Sequence, residues 1–143
     1  MQSKAVRIRI KERKIEAEHF RVYRAAALRV QHFRCFYCRE PLSSAAVTGD
    51  HARPRARRGK TTADNIKATC LRCNKFKGDM DWGDFLVLIK QPLAKLDGIA
   101  RQIAMDRHFW TLTWVSCERI AAQVGIDAAP VLLDMFSPEG EAA

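Results

Sequence analysis

The chain has 143 residues, 48% of them hydrophobic and 29% charged, with a net charge of +9. That is one domain's worth of sequence with enough apolar content for a packed core, which excludes global disorder. The longest apolar run, Phe85 to Ile89, is far below the ~20 residues of a membrane span, and arginines and lysines interrupt the first fourteen residues, so neither a membrane contact nor a secretory signal is expected.

Residues 12–33 are predicted to be a helix, free of Gly and Pro, with Phe20, Tyr23, Ala27 and Val30 on one face and arginines mostly on the others. Pro41 with Ser43 and Ser44 breaks the chain, and Ala45 to Thr48 reads as a short strand ending at Gly49-Asp50-His51. Residues 52–64 form a loop with five positive charges and one negative. Ile66 to Thr69 reads as a second strand, followed by a short helix from about Cys73-Asn74 that stops at Gly78. The remainder reads as helices. One carries Trp82, Phe85, Leu86 and Ile89 and closes at Pro92. A second carries Leu93, Leu96, Ala100 and Ile103, and a third runs from Trp110 through Trp114, Cys117 and Ala121 to Val124, stopped by Gly125. Asp127 is the expected N-cap of a last short helix through Val131, Leu132 and Met135, with Ser137 to Ala143 a frayed tail. The tryptophans, at helical spacing in a non-basic region, are assigned to the core. His19 and His32 are assigned to the surface of the basic helix, His108 to a structural role, and Cys117 to a buried apolar position.

Charge is unevenly spread. Residues 1–34 carry ten Lys/Arg against three acids, residues 35–79 ten against four, and residues 80–143 five against nine. A basic first half joined to an acidic last half is the asymmetry of a polyanion binder.

Four of the five cysteines form two C-x-x-C pairs, Cys35/Cys38 and Cys70/Cys73. An odd count at paired short spacing points to metal and away from disulfides. Two such knuckles complete a tetrahedral Cys₄ shell, so one structural Zn²⁺ per chain is expected. A redox motif gains nothing from a second copy.

Between and beside these knuckles stand Asp50-His51-Ala-Arg-Pro54, Asn65-Ile66, and Cys70-Leu-Arg-Cys73-Asn74-Lys-Phe-Lys77-Gly78. In order and spacing this resembles the HNH endonucleases over residues 35–78, about a third of the chain. The resemblance implies an α+β fold: a small ββα-metal core stapled by the Cys₄ zinc site and flanked by helices. It implies His51 as general base, Asp50 as a ligand of the catalytic divalent ion, and Asn65 as the residue that pins the loop and orients the histidine. Asn74 stands where many members carry histidine and would be the second metal ligand. An amide oxygen is harder than imidazole, so this departure favours Mg²⁺ or Mn²⁺ over a transition metal. The chemistry is self-consistent: phosphodiester hydrolysis needs a base that is neutral at working pH, a cation and electrostatic positioning.

The expected organisation is a basic helical extension over 1–34, a nuclease core over 35–79 and a helical cap over 80–143. Arg53, Arg55, Arg57, Arg58 and Lys60, with Lys75 and Lys77, are expected to grip DNA phosphates without reading bases. A weakly specific DNA endonuclease in the cytoplasm of a bacterial or phage-infected cell is the leading expectation. Two alternatives stand beside it: a noncatalytic zinc-ribbon nucleic-acid-binding module, and a partner-dependent nuclease subunit whose C-terminal helices dock a phage or bacterial machine or form a homodimer.

Overall fold

Ser3 accepts a hydrogen bond from the Val6 amide and so starts helix α1 (Lys4–Val30) well before residue 12, because the run without Gly or Pro extends back to it. This computed structural model describes residues 1–128, so the helix expected through Val131, Leu132 and Met135 and the tail after it lie outside the described residues. The helix ends at Val30, three residues earlier than the pattern suggests. His32 and Phe33 turn left-handed, at φ 55° and 56°, and swing the chain into the first knuckle. Phe20, Tyr23 and Ala27 are partly buried as expected, but Val30 is 79% exposed, and Leu28 takes the inward position.

Strands β1 (Thr48–His51) and β2 (Ile66–Thr69) pair antiparallel, with Thr48 opposite Thr69 and His51 opposite Ile66. β2 has the expected bounds. β1 starts at Thr48 because Ser43 captures the Ala46 and Val47 amides, which folds Ala45-Ala46 into a turn. Gln31, just past α1, uses its side-chain amide as a strand would. It donates to the Ala68 carbonyl and accepts from the Ala68 amide, which ties α1 to the hairpin edge.

Helix α2 (Leu71–Lys77) is capped by the Cys70 sulfur and ends at Gly78, at φ +54°. Helix α3 (Trp82–Ile89) starts on the Asp81 side chain. The two helices expected after Pro92 are one, α4 (Gly98–Val124), since no Gly or Pro interrupts Ile99 to Val124; Leu93–Lys95 is only a 3₁₀ turn. α4 lies on the first knuckle, with Trp114 Nε1 donating to the Arg39 carbonyl at 2.8 Å and Arg107 donating to that of Tyr37. Arg34 stacks over the Trp114 ring at 4.5 Å. The main core joins Leu28, Tyr37, Leu42, Phe85, Ile89 and Ile103 to the four knuckle cysteines. Three core assignments shift. Trp82 is 44% exposed and edge-on to Phe36, and Trp110 and Cys117 are half-buried, so of the three tryptophans only Trp114 is fully buried; His108 is exposed on α4. No helix among the described residues is long and apolar enough to cross a membrane.

Candidate functional site

The two knuckles converge. The Sγ atoms of Cys35, Cys38, Cys70 and Cys73, all buried, lie within 4.8 Å of one another, and Cys38 to Cys70 measures 3.9 Å. That is far beyond a disulfide bond and close to the ~3.8 Å edge of a tetrahedron with ~2.3 Å metal–sulfur bonds. The Cys70 amide donates to the Cys35 sulfur and the Cys73 amide to that of Cys70, as sulfurs bearing negative charge require. Burial alone would push the Cys35 thiol up. Hydrogen bonds from Cys38, Cys70, Cys73 and the Cys70 amide outweigh burial and bring it well below its usual value. Four buried sulfurs cannot all ionise without a cation, so the cluster can hold a metal ion such as zinc.

β1 carries Asp50 inward and His51 to its end. Asp50 is 5% exposed, and each carboxylate oxygen has a partner: Tyr37 Oη donates to Oδ2 at 2.8 Å and Lys77 Nζ to Oδ1 at 3.1 Å. Burial pushes its pKa up, against the hydrogen bond from Tyr37 and the Lys77 charge. Each oxygen keeps a lone pair for another ligand. Asn74 on α2 donates through Nδ2 to Thr48 Oγ1 at 3.0 Å and to the Gly49 carbonyl at 3.1 Å. A carbonyl only accepts, so the amide orientation is forced and both its protons are committed, which leaves Oδ1 as the atom a ligand can use. Asp50, His51 and Asn74 together line a cleft of about 220 Å³ with Gly49, Pro54 and Arg55. An amide oxygen and a carboxylate that retains lone pairs are the donors a hard divalent ion takes.

The Asn65 side chain bonds the loop backbone and not the imidazole of His51. Its Oδ1 accepts from the Arg53 amide, and its Nδ2 donates to the carbonyls of Arg53 and Lys60, so it cinches the loop at both ends. The partner of His51 is Thr61, whose Oγ1 lies 2.9 Å from Nε2, while Phe20 of α1 stacks on the imidazole at 5.6 Å. Burial lowers the His51 pKa, Lys77 adds to this, and Asp50 opposes it.

Arg53, Arg55, Arg57, Arg58, Lys60 and Lys75 are exposed. Arg55 pairs with Glu16 of α1. Lys77 departs from expectation. It is 2% exposed and bonded to Asp50 and the His51 carbonyl, so it cannot reach a phosphate on the surface. Four residues after the buried Cys73, it falls on the inward face of α2, and that spacing was a usable signal. Tyr37, Thr61, Glu16 and Phe20 were missed as site residues, since nothing local in the sequence links them to His51 or Asp50.

A β-hairpin and a short helix around a Cys₄ cluster define a small ββα nuclease core. Residues 35–81 match the family described as HNH endonuclease, so this segment is an HNH endonuclease domain. The CRISPR-associated endonuclease Cas9 of Corynebacterium diphtheriae is 31% identical over 96 residues, 66% of this chain. The match spans 8% of the length of that relative. No solved structure gives a significant match.

Proposed function

We propose that the chain is a metal-dependent endonuclease that hydrolyses DNA phosphodiester bonds with weak or no sequence specificity. The observation that carries this reading is the convergence of Asp50, His51 and Asn74 on one cleft in the hairpin–helix core. In this reading residues 35–79 are the nuclease core and the flanking helices brace it. Zn²⁺ in the cysteine cluster is structural. Asp50 and Asn74 Oδ1 would hold a catalytic Mg²⁺ or Mn²⁺, which when bound supplies charge neutralisation at the phosphate and the leaving 3′ oxygen.

The chain's own residues do the rest. Tyr37 and Lys77 fix the Asp50 carboxylate, and the Asn74 amide is fixed by Thr48 and Gly49. His51, kept neutral by burial, takes the proton of the attacking water. Asn65 holds the basic loop closed, so that Arg53, Arg55, Arg57, Arg58 and Lys60 meet the backbone as a group, with Lys75 beside them. Guanidinium contacts to phosphate carry no sequence information, which supports weak specificity. A second reading, a partner-dependent subunit, is favoured by Phe109, Leu112, Ile120 and Val124, all exposed on α4.

The test is conversion of supercoiled plasmid to nicked or linear DNA with Mg²⁺ or Mn²⁺, stopped by EDTA. His51→Ala should lose at least ~10²-fold in rate while DNA binding and zinc content persist. Excess Mn²⁺ should partly rescue Asp50→Ala and Asn74→Ala but not His51→Ala. Cleavage by His51→Ala at the wild-type rate would refute His51 as the base, and absence of metal-dependent cleavage by the wild type would leave a zinc-ribbon binding module as the account. Cleavage that appears only with an added protein would favour the second reading.

A further inference from the structure

The flanking helix α1 reaches the base through two side chains. Thr61 Oγ1 lies 2.9 Å from His51 Nε2 and 2.9 Å from Glu16 Oε1, and Glu16 is also paired with Arg55. A carboxylate can only accept a hydrogen bond. The Thr61 proton is therefore directed to Glu16, since two acceptors would otherwise face each other across that contact. With its proton committed, the Thr61 hydroxyl can only accept from His51, so Nε2 must carry the ring proton and Nδ1 is left bare.

Phe20 lies stacked on the imidazole with an interplanar angle of 21° and restricts the ring flip that would put Cε1 in place of Nε2 against Thr61. Gly49 makes room for it, because a Cβ there would lie 2.4 Å from the Phe20 ring. Glu16 and Phe20 both lie outside the family-matched segment 35–81.

We propose that Glu16 and Thr61 are positioning residues that set His51 as the Nε2–H tautomer, so that Nδ1 is the atom that accepts the proton of the attacking water. This rests on the reading of His51 as the base. When Nδ1 takes that proton, the ring becomes a cation, and its Nε2–H bond to Thr61 and the Glu16 carboxylate behind it stabilise the new charge. The arrangement has the logic of a base oriented by a third group, with a threonine hydroxyl interposed.

Two measurements test it on the zinc-loaded full chain. The first is ¹⁵N NMR of the His51 ring without DNA at about pH 8, where imidazole is neutral, assigned against His51→Ala. The wild type should show a protonated Nε2 and a bare Nδ1, and Thr61→Val should show a mixture of tautomers. The second is kinetic. Thr61→Val should lower kcat about 10- to 10³-fold with KM for DNA nearly unchanged, less than the ~10⁴-fold lost when a triad's orienting carboxylate is altered. Thr61→Ser should restore both the tautomer and the rate, and Glu16→Gln should fall between. A wild-type ring protonated on Nδ1, or a Thr61→Val variant with unchanged tautomer and kcat, would overturn the proposal. If the wild type shows the Nε2–H tautomer yet never cleaves DNA, the nuclease reading fails while the positioning contact stands.

Discussion

Lys77→Met tests the interior of the site. The methionine occupies the space of the lysine stem, so no sizeable cavity opens and the change falls on the charge. The Asp50 carboxylate, 5% exposed, loses the ammonium at 3.1 Å and keeps only Tyr37, and the His51 carbonyl loses a donor. Removing one member of a buried ion pair costs about 3–5 kcal/mol, chiefly the penalty of the charge left behind. With an m-value of roughly 1.5 kcal/mol per molar urea, the midpoint should fall by about 2 M or more, at fixed excess zinc so that ligation contributes equally. Adding Asp50→Asn removes the orphaned charge, so the double variant should recover most of that loss. Lys75→Met, on the exposed side of α2, should stay within ~0.5 kcal/mol of the wild type. If Lys77→Met cost no more than Lys75→Met, or the double variant were as unstable as the two singles added, the buried pair would not be what holds Asp50.

Cys70→Ser should take zinc from one per chain to none by elemental analysis and unfold the core, since such sites contribute on the order of 10 kcal/mol to folding; Cys117→Ser should change neither. Gly59→Ala should disrupt the basic loop, because its Cβ would fall 1.7 Å from the Arg53 carbonyl oxygen, which is backbone and has little freedom to retreat. Plasmid cleavage should drop while zinc content holds, and an unchanged rate would refute the loop's role. The pH profile follows from His51. Burial, with Lys77 adding and Asp50 opposing, lowers its pKa, so its protonation sets in only below the usual ~6.5. The acid limb of cleavage should therefore have its midpoint below about pH 6.5 and be flat above neutrality; a midpoint above pH 7 would contradict it.

What could be read from the chain was what is local. Cys35, Cys38, Cys70 and Cys73 declare themselves by spacing, and Asp50, His51 and Asn74 by position relative to them. β2 was legible because Ile66 to Thr69 is a short run with a turn on one side and a knuckle on the other. β1 was misjudged because Ala45-Ala46-Val47 looks like strand, whereas Ser43 supplies the bonds of a turn. α4 reads as two helices because its apolar residues fall in two clusters, although no breaker separates them. The partners of the site residues were beyond reach. Thr61 meets His51 across ten residues, Glu16 meets Thr61 across forty-five, and Lys77 meets Asp50 across twenty-seven, all through tertiary packing.

The knuckles have a further consequence for the backbone between them. Cys38 and Cys70 are 32 residues apart, and that stretch holds β1, the arginine-rich loop and β2. With the proposed zinc in place it is a closed ring, and a cross-link of that size removes roughly 3.5–4 kcal/mol of chain entropy from the unfolded state. A protease such as trypsin can reach the exposed Arg55, Arg57 and Arg58. After such a cut the two polypeptides would remain joined by the thiolates on one side of the gap and by the β1–β2 ladder on the other. Scission would thus pass unnoticed in a native gel, and the pieces would part only when a chelator or denaturant is added. The same closure makes the loop a place where the chain can be divided into two separately expressed halves that reassemble around the metal.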